Sequence, residues 1–275
     1  MGDIPLKKSI LVSILFYTLL LSACNPIRVP KSSMDHNMSA TPTGVIPTKS
    51  EWKIQDYPKA NEEIPISLLI KDKSNKPIQS FDTVHEKKMH LFIVSKDLAY
   101  FSHIHPNYKG NGEFNFTTNF PTGGEYKLIS EFTPKGGGDP SVESHWVRIE
   151  GKTAAPNPLI PDQKLTKVED GKKVTLTFDH MMAGMTVHLN FTISDATSNQ
   201  PIKNLQPFLG AMGHAVAISG DAEKYLHIHP MTTDGSGPKV TFMTIFPEKG
   251  LYKVWGQFQH NGKVFTVPFV INVPE

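Results

Sequence analysis

Val174-Thr175-Leu176-Thr177-Phe178 alternates apolar and polar side chains. A period of two turns one face of an extended strand toward a core and the other toward water. Short β-rich runs recur at residues 64–70, 90–94, 125–132, 147–149, 187–193, 240–246, 251–258 and 264–273, punctuated by Gly, Pro, Asn and Asp. No long stretch keeps a helical period. The pattern predicts an all-β chain.

The chain also repeats itself. His90, His103 and His105, followed by Pro106, return as His214, His227 and His229, followed by Pro230, each 124 residues later. Residues 74–106 match 198–230 without a gap, with 11 of 33 positions identical, which indicates a duplicated module. After a small length change the match resumes: Phe120-Pro121 through Tyr126 resembles Phe246-Pro247 through Tyr252, and Phe132 and Phe258 follow at the same interval. The period is too long for a solenoid and fits a domain of ordinary size. Short strands in a unit of about 110 residues predict two tandem immunoglobulin-like β-sandwich domains, with a small closed barrel as the second choice. The Cys–Trp–Cys pattern of true immunoglobulin domains is absent, so the expectation concerns architecture alone.

The ends and linkers set the remaining organisation. Lys7 and Lys8 precede an apolar run, Ser9 to Leu21, too short for a comfortable membrane span. Residues 1–23 are therefore expected to be a signal peptide, 24–50 a flexible tether rich in Pro, Ser, Thr and Met, 51–150 the first sandwich, 151–162 a linker with three prolines, and 163–275 the second sandwich. Cys24 is the only cysteine, which excludes an intrachain disulfide and thiolate chemistry spread over several residues. Two lysines and one aspartate leave with the signal, taking the net charge from +2 to +1, and this is no nucleic-acid footprint.

Imidazole is the commonest transition-metal ligand, so the repeated histidines are candidate ligands. In the second repeat, residues 215–218 read as one strand and 225–229 as its return. A two-residue Gly220-Asp221 turn sets His214 opposite His227, and a four-residue loop, Gly220 to Glu223, sets it opposite His229. Any even loop keeps His214, His227 and His229 on one face, and the same holds for His90, His103 and His105 around a turn at Lys96-Asp97. Three imidazoles on one face form a set that Zn²⁺, Cu²⁺ or Ni²⁺ accepts. The structural alternative is that His-x-His-Pro ends a strand and bonds loop carbonyls.

Methionines tilt the expectation to copper. Asp179 to His188 holds three Met and two His, and Met34-Asp35-His36-Asn37-Met38 repeats the theme in the tether. Thioether suits Cu(I) and imidazole suits Cu(II). Met212 lies two residues before His214 and is a further candidate, where the first repeat has Lys88, so the second repeat is expected to be the better copper site. Flexible core filling is the other reading of Met181, Met182 and Met185.

Leu21-Ser22-Ala23-Cys24 resembles the lipobox of bacterial lipoproteins. That resemblance implies diacylglycerol and palmitate on Cys24 and anchoring at the extracytoplasmic face of the cell membrane. Gly213-His214 through His229-Pro230 and Phe246 through Phe258 resemble uncharacterised secreted bacterial proteins similar to YtkA-like and CopC-like sandwich domains, which are associated with metal handling. The resemblance implies a β-sandwich. The expected function is a membrane-anchored metal-binding lipoprotein, copper first and zinc second, serving resistance, buffering or delivery through His90, His103, His105, His214, His227, His229 and Met212. The alternative is a metal-free tandem interaction module with an envelope protein as partner. No Ser/His/Asp set, carboxylate pair or phosphate loop stands out, so catalysis is not expected.

Overall fold

The computed structural model describes residues 1–2 and 44–275, apart from 156, 233 and the side chain of His229. Residues 3–23 of the expected signal segment, Cys24, and Met34, His36 and Met38 lie outside the described residues. No helix among the described residues is long and apolar enough to cross a membrane.

The first repeat folds as β1 (Thr48–Ile54), β2 (Glu63–Asp72), β3 (His90–Ser95), β4 (Phe101–Ile104), β5 (Asn107–Gly110), β6 (Glu113–Asn119), β7 (Gly124–Phe132) and β8 (Ser141–Ile149). These form two four-stranded sheets, β1-β2-β6-β5 and β4-β3-β7-β8. Ile64, Ile66, Leu91, Ile93, Tyr126 and Leu128 fill the space between them. β1 starts inside the stretch expected to be tether, because Thr48-Lys49-Ser50-Glu51-Trp52-Lys53-Ile54 already alternates and pairs with β2 from Thr48↔Asp72 to Ile54↔Ile66.

The second repeat follows as β9 (Thr166–Glu169), β10 (Lys172–Phe178), β11 (Thr186–Asp195), β12 (His214–Ser219), β13 (Tyr225–Pro230), β14 (Lys239–Ile245), β15 (Gly250–His260) and β16 (Lys263–Val273). Its strands run in one ladder, β16-β15-β12-β13-β14-β11-β10-β9. The ladder is continuous because β13 pairs with β12 up to Ile228 and then with β14 at His229 and Pro230. In the first repeat the same stretch is split into β4 and β5 on separate sheets. Phe191, Phe242, Phe246, Phe258 and Phe269 dominate the second core.

Both repeats are immunoglobulin-like sandwiches. Each has a buried tyrosine on its penultimate strand whose hydroxyl donates to a carbonyl four residues upstream: Tyr126 to Thr122 O at 3.0 Å and Tyr252 to Glu248 O at 3.0 Å. This corner pins the turn before that strand in sandwich folds of this type.

The hairpins carrying the histidines take the four-residue loop. Val216 pairs with His227 and Phe92 with His103, which sets the register two residues away from the two-residue turn. Ser95 Oγ and Ser219 Oγ each bond the aspartate two residues on, Asp97 and Asp221, and Leu98 and Ala222 take the left-handed conformation that closes the loop.

Every residue of β3 up to Val94, and all of β12, is buried. One parity of each strand faces its own sandwich core. The other parity meets its counterpart: Phe92, Val94, Leu98 and Ile129 of the first repeat form one apolar cluster with Val216, Ile218, Ala222 and Trp255 of the second. The described residues from 44 to 275 belong to a single compact unit. Two cross-repeat bonds repeat each other: Lys127 Nζ donates to Ala222 O at 2.7 Å, and Lys253 Nζ donates to Leu98 O at 2.7 Å. The contact is thus a pseudo-two-fold one, the arrangement expected when a self-complementary patch is duplicated within one chain.

Candidate functional site

The strand parity that buries Phe92 and Val216 at the interface also sends His90 and His214 there, because each histidine lies two residues before its apolar neighbour. Before each strand a two-residue turn reverses the chain. Val84 and Lys87 exchange both backbone bonds around His85 and Glu86, and Phe208 and Ala211 do so around Leu209 and Gly210. All four central residues have positive φ. The turn's first carbonyl accepts from the histidine of its own repeat: His90 Nε2 to Val84 O at 3.0 Å, and His214 Nε2 to Phe208 O at 3.0 Å.

The other repeat orients the next histidine of each set. His103 Nδ1 donates to Gln257 Oε1 at 2.7 Å, and His227 Nδ1 bonds Glu131 Oε1 at 2.6 Å. Gln257 stands opposite His214 on β15, and Glu131 opposite His90 on β7. Tyr225 Oη donates to Glu131 Oε2 at 3.0 Å. Burial by itself would push the Glu131 carboxyl up, but the neighbouring His227 charge and the bonds from His227 and Tyr225 prevail and hold it at about 2.

Burial lowers the imidazoles. His90 and His105 drop to about 4 and His214 to about 3, with neighbouring histidines adding to the effect, and His103 falls well below its ordinary value. These four rings are neutral at pH 7 and carry one N–H each. In His90, His214 and His103 that N–H is committed to Val84, Phe208 and Gln257. The lone pairs of His90 Nδ1 and His103 Nε2 then face each other at 3.1 Å. His105 Nε2 and His214 Nδ1 are buried with no hydrogen-bond partner. One nitrogen from each of His90, His103 and His105 lies within 4.8 Å of the others, a spacing open to a metal ion.

The described rings of the two histidine sets, expected as one site per repeat, meet in one place. The His214 ring centroid lies 6.3 Å from those of His90 and His103, and His227 lies 5.9 Å from His90. A ligand-like group among the described residues is in the first repeat; the second set, expected to be the better copper site, includes the ring of His229, which lies outside the described residues. The backbone of His229 pairs with Met243. Met212 packs into the apolar core of the second repeat beside Leu205 and Phe258, while His214 turns to the interface.

Sequence reasoning missed His85, Glu131 and Gln257. His85 projects from its turn against the second set, 4.9 Å from the His214 ring and 5.6 Å from that of His227. Glu131 and Gln257 were recoverable from the repeat, since each immediately precedes the matched Phe132 and Phe258. The Met/His segment is a separate feature. Asp179 bonds the backbone and ring of His188 and the backbone of His180, Met181 packs on the second core, and Met182 and Met185 are exposed. The cleft of about 600 Å³ lined by Lys53, Pro65, Lys109 and Phe116 contains no histidine and lies on the β1-β2-β6-β5 sheet.

A family model described as a domain of unknown function, DUF8832, matches twice, at residues 46–151 and 166–275. No curated protein matches the chain. Among solved structures the chain is similar to the bacterial integrin-binding protein invasin at 12% identity, covering 80% of this chain and 39% of that one with a TM-score of 0.25. It is similar to the FN1–FN3 domains of chicken CNTN1 at 9% identity, covering 81% and 66% with a TM-score of 0.21. It is also similar to a membrane-anchored protein from Corynebacterium diphtheriae at 10% identity, covering 82% and 57% with a TM-score of 0.25.

Proposed function

The chain belongs to the DUF8832 family, of which it carries two copies, and because that family has no assigned role we propose from the chain's own residues that it is a metal-binding lipoprotein of the cell envelope. One observation carries the reading: the neutral imidazoles of His90 and His103 present lone pairs to each other at 3.1 Å, with His105 Nε2 buried and unpartnered beside them. Two facing lone pairs repel, and a cation between them removes the repulsion. A proton would do so only by creating a buried charge, which burial of both rings opposes. Two nitrogens bound to one ion at about 2.0–2.1 Å stand roughly 3.0–3.4 Å apart, and the observed separation fits.

Copper is the favoured ion and zinc the second. The imidazole set suits either, and the Met-rich segments around Met34 and Met182 supply the soft donors that suit Cu(I). The resemblance to YtkA-like and CopC-like domains points the same way. The lipobox-like Leu21-Ser22-Ala23-Cys24 supports anchoring through a lipidated Cys24 at the extracytoplasmic face, where resistance, buffering or delivery of copper would be exercised. The alternative, a metal-free interaction module for an envelope protein, is supported by the open cleft on the β1-β2-β6-β5 sheet.

The test is a titration of Cu(I), Cu(II) and Zn(II) against a calibrated chelator, run beside the His90→Ala/His103→Ala/His105→Ala variant. Tight binding that disappears in the folded variant supports the proposal. Weak binding that the variant leaves unchanged assigns the histidines to the scaffold and favours the interaction module.

A further inference from the structure

We infer that the ion is held between the repeats rather than within the first, with His214 of the second repeat as its fourth ligand. This rests on the metal-binding reading above. His214 is 1% exposed, its Nε2–H is committed to Phe208 O, and its Nδ1 lone pair is buried with no partner. Leaving such an acceptor unmet is costly in a folded interior, and native structures seldom do so without a reason. The ring lies 6.3 Å, centroid to centroid, from both His90 and His103, against 5.3, 5.1 and 4.7 Å among the three rings of the triad. His227 and His85 come nearer to His90, at 5.9 and 6.1 Å, but among the described imidazoles outside the triad His214 is the one that approaches two of its members.

The pseudo-two-fold relation gives the choice of His214 a physical basis. His214 is the counterpart of His90: both open their strands, both donate Nε2–H to the carbonyl that begins the preceding turn, and both therefore offer Nδ1. His227, the other described ring of the second set, is instead oriented by Glu131. His85 of the first repeat packs edge-on against His214 at 4.9 Å. The orienting partner of His103, Gln257, stands opposite His214 in the β12–β15 pair. The direction of His103 and the meeting of His214 with the triad thus depend on the repeats being docked. An outer-shell acceptor of this kind fixes the tautomer and direction of a ligating histidine.

A consequence is that ion binding and repeat docking are linked. An ion that binds only the docked form stabilises that form by mass action. Two separated sites would have no such coupling.

Cu(II) added to the intact chain separates the cases. Stoichiometry is read by competition with a chelator, and the number of coordinated imidazoles by pulsed EPR. The expected result is one ion per chain with four imidazoles. His214→Ala should retain three and lose affinity by at least the roughly 10–100-fold that removal of an outer-shell partner costs. His214→Gln, whose amide can still donate to Phe208 O, guards against a folding defect and should lose the same imidazole. His260→Ala, remote from the cluster and bonded to Asn204, should change nothing. One ion bound with equal affinity and an equal imidazole count in wild type and His214→Gln overturns the inference while leaving metal binding by the triad standing. Two ions per chain with three imidazoles each also overturns it. No Cu(II) retained by the wild type removes both readings.

Discussion

His103 and Gln257 are 154 residues apart in the chain and 2.7 Å apart at their bonded atoms. The mirrored pair, His227 and Glu131, closes at 2.6 Å. The first repeat orients a histidine of the second, and the second orients a histidine of the first. Duplication of a self-complementary surface produces this reciprocity, because each patch meets a copy of itself. One of the two positions carries a carboxylate and the other an amide, so the two halves of the centre differ in charge.

Glu131→Ala should destabilise the protein by about 2–6 kcal/mol, because it removes the acceptor of two buried donors, His227 Nδ1–H and Tyr225 Oη–H, at roughly 1–3 kcal/mol each. The Glu131 and His227 side chains are buried, at 6% exposure each. Glu131→Gln, which can still accept from His227, should cost less. Urea unfolding of the three proteins gives the comparison, and equal midpoints for wild type and Glu131→Ala would remove the pair from the account of stability.

Metal-free protein should lose stability as the pH falls. His90, His105 and His214 have folded values of about 4, 4 and 3, below the ordinary value of about 6.5 that they regain on unfolding. The unfolded chain therefore binds more protons between these limits, and unfolding becomes easier as the pH drops through 6.5 toward 4. Above 6.5 these groups contribute no slope. A series of melting temperatures from pH 8 to pH 4.5 in the presence of chelator should show the fall, and the His90→Ala/His105→Ala/His214→Ala variant should show a flatter profile. A wild-type melting temperature that stays level across that range contradicts the prediction.

Trp255→Ala should cost about 3–5 kcal/mol, although Trp255 lies outside both sandwich cores. Its ring stacks on Phe101 of the first repeat at 4.6 Å and belongs to the cluster joining the repeats. The loss should appear as earlier exposure of β3 and β12 in hydrogen exchange, with the β2 and β11 amides still protected. Uniform loss of protection across the chain would mean that the interface does not open separately.

The strands were readable from alternation because sheet burial has a period of two: the run at 174–178 lies in β10 and that at 187–193 in β11. The common face of the histidines followed from the same parity, and held when the loops closed on four residues instead of two. Local pattern could not say what that face meets. Glu131 reaches His90 only through the pairing of β3 with β7, and Gln257 reaches His103 only when the two repeats dock. His85 carries no repeat signal, since Leu209 holds its place in the second copy.

Periodicity, turn chemistry and self-similarity are properties of neighbouring residues and of the chain aligned with itself, so the sequence alone determined an all-β fold of two like sandwiches, each offering histidines from one face of a hairpin. The partners of those histidines are set by long-range packing. Which nitrogen is bonded, which is left bare, and that two sets converge in one buried cluster were decided only when β3 and β12 lost their outer faces to each other, because burial and hydrogen-bond satisfaction depend on what lies across an interface.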